Sequence, residues 1–231
     1  MFETRNILLS KLSKNDAALI GAHLEPVTLK QGDVLLEPEE PIKHIYFFDD
    51  GLSSEIAMND DGSQIEVGCI GREGFSGAPA VVGVDRSPHK SFMQSDAQAL
   101  RITPSDLEDA LDKGAILRKL LLRYVHVFMM QIAATALADG RYSIEMRLAR
   151  WLLMSNDRLG DEMPLTHEFL SLMLGVRRPS VTEALHLLEE KQAIRANRGL
   201  IIIRNRQKLE GIAGNCYGVP EAEYRRLILD L

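Results

Sequence analysis

Apolar and polar positions follow three successive rhythms along the chain. Over residues 1–25, Ile7, Leu8, Leu9 and Leu12, then Leu19 and Ile20, recur at helical spacing, with Ser13 placed to cap KNDAALI. From about residue 26 to 102 the rhythm shortens. Runs such as VTLK, DVLLE, IYFFD, SSEIAM, QIEVGCI and QALRI are β-branched or alternating, and QG, DDG, DDG and GREG separate them. Many short strands punctuated by Gly and Asp predict an antiparallel barrel or roll, with no helix longer than a turn or two before Ile102.

Helical spacing returns at TPSDLEDALDKG, where Gly114 breaks or bends it. The segment AILRKLLLRYVHVFMMQIAATALADG then runs without proline or internal glycine. Leu121, Val125, Phe128, Ile132 and Ala136 line one face of this helix, and Leu117, Leu120, Tyr124, Val127 and Gln131 a second. A helix apolar nearly all round is either deeply buried or serves two partners. One face on the roll and one on a symmetry mate would make Leu121, Val125, Phe128 and Ile132 a dimer seam. A core helix of a monomer is the alternative. Gly140 marks the expected hinge, and SIEMRLARWLLMSNDRLG follows as an amphipathic helix with Ile144, Leu148, Trp151, Leu152 and Met154 inward.

Composition narrows the class. The 231 residues are 45% apolar and 26% charged, as in a globular protein with a real core. The start, MFETRNILLSKL, lacks the apolar run of a signal peptide, and charges interrupt other apolar stretches short of the ~18 residues of a membrane span. A cytoplasmic location and no membrane contact are therefore expected. Two cysteines, Cys69 and Cys216, give neither a disulfide framework nor a Cys-rich metal site, and no metal or cofactor is expected. The net charge of −6 hides a gradient: residues 1–140 carry 13 basic against 21 acidic groups, and residues 141–206 carry 11 against 8. An acidic first part joined to a basic second part suggests two jobs in one chain.

The basic part holds the most specific pattern, PLTHEFLSLMLGVRRPSVTEALHLLEEKQAIRANRGLIIIR at 164–203. Thr166 is a good cap for HEFLSLML, and Gly175 supplies a left-handed turn. Pro179 sits in the first turn of the next helix, where its missing N–H is no loss. Two short helices about a glycine turn describe a helix-turn-helix, and AIRANRGLIIIR after it reads as a hairpin wing turning at Asn197–Arg198–Gly199. Such a helix enters the major groove of double-stranded DNA by its N-terminal end. The candidate DNA contacts are Thr166, His167, Arg177, Arg178, Ser180, Thr182 and Glu183, with Arg195, Asn197 and Arg198 on the wing. Arginines there suit guanine edges or phosphates. An enzyme is disfavoured: GFSG is no nucleophile elbow, and no HExxH occurs.

The whole plan resembles the Crp/Fnr superfamily of bacterial transcription regulators over roughly residues 8–206. The resemblance rests on QGDVLLEPEEPIKHIYFFDDG, with Gly32, Asp33 and Gly51, on Gly71 and Phe75, and most strongly on Leu165 to Ile194. It implies an α+β fold with a cyclic-nucleotide-binding-like antiparallel β-roll over 1–112 and a dimerisation helix over 113–139. A winged helix-turn-helix over 140–206 and a tail over 207–231 complete it. It also implies a homodimer on inverted-repeat DNA, with RNA polymerase as a further partner. The alternative is a ligand- or partner-binding module without specific DNA contact.

Residues 71–90, GREGFSGAPAVVGVDRSPHK, match the phosphate cassette of the cyclic-nucleotide members, which resembles G-x-x-F-G-E-x-A and then Arg-Ser or Arg-Ala. Here Gly77 stands where the glutamate belongs, and Ser87-Pro88-His89-Lys90 occupies the arginine region. A phosphate without its cation and a ribose without its acceptor disfavour cyclic AMP. The glycines then read as roll turns that need positive φ. The candidate effector pocket takes Gly74, Phe75, Ser76, Gly77, Arg86, His89 and Lys90 from this stretch, with Tyr124 and Phe128 from the long helix. Its effector is unidentified. Pro179 and Glu183 depart from the family's R-E-T-V-S-R-like recognition string, so the family's half-site is not carried over.

Overall fold

The β-branched runs pair as eight strands, and a computed structural model describes residues 2–230 of the chain. Two short helices come first, α1 (Ile7–Ser10) and α2 (Lys14–Gly21), and Ser13 Oγ caps the second by accepting from the Asp16 amide at 3.1 Å. The strands are β1 (Glu25–Leu29), β2 (Val34–Leu36), β3 (Ile45–Phe48), β4 (Ser53–Met58), β5 (Gln64–Ile70), β6 (Phe75–Ser76), β7 (Lys90–Met93) and β8 (Ala97–Ile102). A single turn of helix, α3 (Ala78–Val81), interrupts them. They form two four-stranded antiparallel sheets, ordered β1-β8-β3-β6 and β2-β7-β4-β5. Phe47, Phe48, Phe75, Ile45 and Ile102 fill the space between the sheets and are fully buried. The runs at 75–76 and 90–93 did not stand out in the sequence, because they are short and lack alternation.

Helix α4 (Pro104–Lys113) starts on a Thr103 cap and stops at Gly114, after which α5 (Ala115–Arg141) runs 27 residues. Its Leu117, Leu120, Leu121, Tyr124, Val127 and Gln131 are buried, the first four in the roll core. Gln131 clips the helix to β5: its Oε1 accepts from the Cys69 amide at 2.7 Å and its Nε2 donates to the Cys69 carbonyl at 3.2 Å. By length and composition α5 is apolar enough to cross a membrane, with a mean hydropathy of 1.5 over 18 residues, although Arg123 and Asp139 bound its uncharged run. Burial against the roll accounts for one side of that apolarity.

The helix passes through Gly140 and breaks at Tyr142–Ser143, two residues beyond the expected hinge. Then come α6 (Ile144–Leu159), β9 (Glu162–Met163), α7 (His167–Leu174), α8 (Arg178–Glu190), β10 (Ile194–Asn197), β11 (Leu200–Ile203) and α9 (Arg206–Ala213). Strands β10, β11 and β9 form a small sheet in that order. A second core gathers Leu148, Leu152, Leu170, Val181, Leu185, Leu188 and Ile201.

The C-terminal segment does more than form the short helix expected near Pro220. After α10 (Val219–Tyr224) and a wide turn over Arg225–Leu229, it lies across both halves of the molecule. The Tyr217 hydroxyl donates to Asp157 at 2.6 Å on α6, the Tyr224 hydroxyl donates to the Glu73 carbonyl at 2.9 Å, and Ile228 is fully buried in the roll core.

Candidate nucleic-acid interface

The bend between α7 and α8 is built from three local devices. Thr166 Oγ1 caps α7 by accepting from the Phe169 amide at 3.1 Å. Gly175 ends it at φ 61°, a conformation that a side chain disfavours, and Pro179 lies in the first turn of α8. Across the bend, His167 Nδ1 and Thr182 Oγ1 lie 3.0 Å apart, which fixes the crossing of the two helices. Val181, Ala184, Leu185 and Leu188 bury one side of α8, leaving Pro179, Glu183, His186, Leu187 and Glu190 exposed on the other.

Arg177 and Arg178 stand exposed at the α8 N-terminus. Arg195 is exposed on β10, and Asn197 closes that strand opposite Leu200, so the wing turns on Arg198 and Gly199. Ser180 and Thr182 are half-buried, and the Thr182 hydroxyl also donates back to the Arg178 carbonyl at 3.2 Å. Thr166 and Thr182 thus spend their hydroxyls on holding the motif. The ion pairs of this domain engage Arg147, Arg158, Lys191 and Arg206, and among the described residues leave Arg177, Arg178, Arg195 and Arg198 unpaired.

Two residues of this surface escaped the sequence reading. His186 lies one turn beyond Thr182 on the exposed side, and it lines both the outer face of α8 and the groove between α8 and the wing. The spacing from Thr182 and Glu183 could have found it. Glu189 could not be found that way: its Oε1 accepts from the Ala196 amide at 2.8 Å and ties the wing to α8, a contact only the tertiary fold creates.

Residues 146–212 match the Crp-like helix-turn-helix domain. The C-terminal part of the chain is a Crp-like helix-turn-helix domain. The chain's fold is similar to that of FixK2 from Bradyrhizobium japonicum, with a TM-score of 0.69 and 18% identity over 83% of this chain and 98% of that one. It is similar also to the c-di-GMP-responsive global regulator CLP of Xanthomonas campestris (0.68, 15%, 83% and 99%). A third likeness is a Crp-family transcriptional regulator of Thermus thermophilus (0.68, 18%, 82% and 97%). No curated protein sequence matches the chain.

The roll and α5 enclose a cavity of about 250 Å³. Gly77, His89, Val125, Phe128 and Ile132 line it, as does Glu55 of β4, which the sequence reading did not pick. The Glu55 carboxylate is buried, accepts from Ser76 Oγ at 3.1 Å, and is pushed up to about 7 by loss of hydration. His89 Nδ1 is buried without a partner. Six expected members, Gly74, Phe75, Ser76, Arg86, Lys90 and Tyr124, do not line it. Arg86 reaches the Glu39 carbonyl and Asp85, and Lys90 pairs with Glu37 at 3.7 Å. Tyr124 lines a different cavity, on the far side of Phe128, beside Glu73 and Arg158. Gly74 and Phe75 sit against its ring and in the core, so neither opens onto the Glu55 cavity.

The glycine stretch needs its glycines for two reasons. Gly77 takes φ 96°, as expected of a turn. Gly74 has no positive φ; a Cβ there would lie 1.8 Å from the Tyr124 hydroxyl. Close approach of α5 explains it.

The residues expected at a dimer seam divide as well. Leu121 is fully buried in the roll core and faces away from solvent. Val125 and Ile132 are half-buried, while Leu122 and Met129 are 41% and 57% exposed. The open stripe of α5 therefore runs Leu122, Val125, Met129, Ile132, Ala136, rotated from the expected face.

Proposed function

We propose that this protein is a homodimeric transcription regulator that reads an inverted-repeat DNA site, with an effector other than cyclic AMP in its roll cavity. The observation that carries the reading is the α8 N-terminus. Four unpaired arginines from α8 and the wing flank one exposed surface, in a domain of the Crp-like helix-turn-helix family. Arg178 in the first turn of α8 suits a guanine edge, and Arg195 and Arg198 suit the backbone to either side.

The dimer reading rests on α5. Leu122, Val125, Met129, Ile132 and Ala136 follow the 3-4-3-4 spacing of a coiled-coil seam, and a second copy would cover them. A two-fold axis along α5 would set the recognition helices roughly 34–36 Å apart, one turn of DNA. Val125, Met129 and Ile132 also line the roll cavity, so effector and seam would share residues. The cavity has no Arg or Lys among its lining residues and presents a carboxylate. That suits a small, largely apolar effector carrying a hydrogen-bond donor for Glu55, and repels a phosphate. A cytoplasmic location and contact with RNA polymerase follow from the same reading.

The test is a selection from random duplex oligonucleotides with purified protein, followed by anisotropy titrations at two salt concentrations with and without cyclic AMP. The expected result is a palindromic site whose affinity falls steeply with salt and ignores cyclic AMP. Binding that appears only with cyclic AMP would overturn the effector reading. Absence of any salt-sensitive site would favour a partner-binding module.

A further inference from the structure

The β4–β5 hairpin has two working faces. One face lines the roll cavity with Glu55 and Val67. The other lies under the DNA-binding domain: Ile56 belongs to that domain's core, and a Cβ on Gly175 would come within 2.8 Å of Ile65. Register shifts between the two faces. Glu55 pairs with Gly68 and Ile56 with Glu66, so Val67 is the extra residue of a β-bulge. A bulge re-aims neighbouring side chains, and here it sits beside a buried carboxylate that crosses to the other domain.

That carboxylate is Glu66, which is 4% exposed. Its Oε1 accepts from the indole Nε1 of Trp151 on α6 at 2.7 Å. Its Oε2 accepts from Gln94 Nε2 at 2.8 Å and from the Ser54 hydroxyl. Met173 of α7 closes the cluster, with its sulfur 3.8 Å from both Ser54 Oγ and Gln94 Nε2. The charged neighbours are Arg150 and Arg158, both on α6. Arg150 is spent on the Thr135 hydroxyl and the Gln131 carbonyl, and Arg158 on Glu73. The Glu66 oxygens therefore have no cation of their own, and the indole N–H is the one hydrogen bond they receive from the DNA-binding domain. A buried acceptor left without that donor is costly, so the contact favours one seating of the domain on the roll. Either protonation state of the carboxyl can accept it.

We propose that the Glu66–Trp151 hydrogen bond is a latch that sets the seating of the DNA-binding domain on the roll, and that the Val67 bulge couples the latch to the contents of the roll cavity. A ligand that displaces Val67 moves the backbone next to Glu66 and loosens or tightens the hold on Trp151. The Arg158–Glu73 pair, one turn-pair further along the same face of α6, tethers the domain without touching the cavity's lining.

Amide hydrogen exchange on the full chain tests this, and it needs no DNA, so it stands or falls apart from the DNA-reading proposal. Trp151→Phe and Glu66→Leu remove the donor and the acceptor, while Glu66→Gln keeps an acceptor. The expected result is an approximately tenfold loss of protection in α6 and α7 for the first two, and near wild-type protection for Glu66→Gln. Val67→Trp, which intrudes on the cavity, should change α6–α7 protection in the wild type but not in the Trp151→Phe background. Unchanged protection in Trp151→Phe would overturn the latch, and an equal effect of Val67→Trp in both backgrounds would overturn the coupling. Circular dichroism melts identify any variant that fails to fold; Trp151→Phe fills nearly the same space and carries the test if Glu66→Leu does not.

Discussion

Arg178 and Arg177 are adjacent in sequence but differently placed. Arg178 opens α8 and lines the groove toward the wing, whereas Arg177 occupies the cap position before it. If Arg178 reads a base, Arg178→Ala weakens the selected site by about 1–3 kcal/mol and relaxes one position of its sequence. A loss equal for all sequences in competition anisotropy would make it a phosphate contact. Buried carboxylates give a second residue-scale prediction. Burial pushes both Glu55 and Glu66 up to about 7, against ordinary values near 4.5. Their protonated forms are favoured by folding, so the stability they contribute is full below about pH 4.5 and is lost as pH rises through about 7. Urea midpoints should fall between pH 5.5 and 8, and Glu55→Gln should flatten that slope; a midpoint that rises over this range would contradict the assignment. Cys69 is fully buried and its thiol is pushed upward by burial, so a thiol reagent should leave it unmodified in the folded protein.

At the scale of elements, the long helix and the helix-turn-helix were legible for different reasons. The latter has punctuation: a cap at Thr166, a turn at Gly175 and a proline at 179 each fix local backbone whatever surrounds them. Gly175 adopts positive φ and approaches Ile65, so Gly175→Ala should lower stability by about 1 kcal/mol or more in denaturant titrations. The extent of the long helix was legible, but its facing was not. An apolar helix offers two stripes, and spacing alone does not say which one the roll takes. The roll took Leu121 with Leu117 and Tyr124, and this rotated the open stripe onto Leu122 and Met129. Met129→Glu should therefore give a monomer in sedimentation velocity if that stripe is the seam. A dimer that survives it would place the seam elsewhere.

For the whole molecule, the C-terminal segment adds ties between two halves that the β4–β5 hairpin and α6 also join. Ile228 enters the roll core, Tyr217 bonds Asp157 beneath the DNA-binding domain, and Arg123 donates to the Leu227 carbonyl at 3.2 Å between them. Ending the chain at Ala213 removes these ties, including the burial of Ile228, worth about 1.5–3 kcal/mol. Calorimetry should show a broadened or split unfolding transition relative to the full chain; an unchanged profile would mean the β4–β5 hairpin with α6 and α7 holds the two halves without the segment.

The sequence by itself determined six of the eight roll strands, the caps, the turn glycine and the basic wing, because these depend on patterns a few residues long. It also placed the exposed arginines, since a charged group at a helix start has little else to meet. Only the tertiary structure decided which side of α5 is buried, that Glu55 rather than Arg86 or Lys90 faces the roll cavity, and that Glu66 meets Trp151. Those outcomes depend on groups 60 or more positions apart, or on which of two similar faces a sheet covers. Local pattern holds no record of either until the chain has closed on itself.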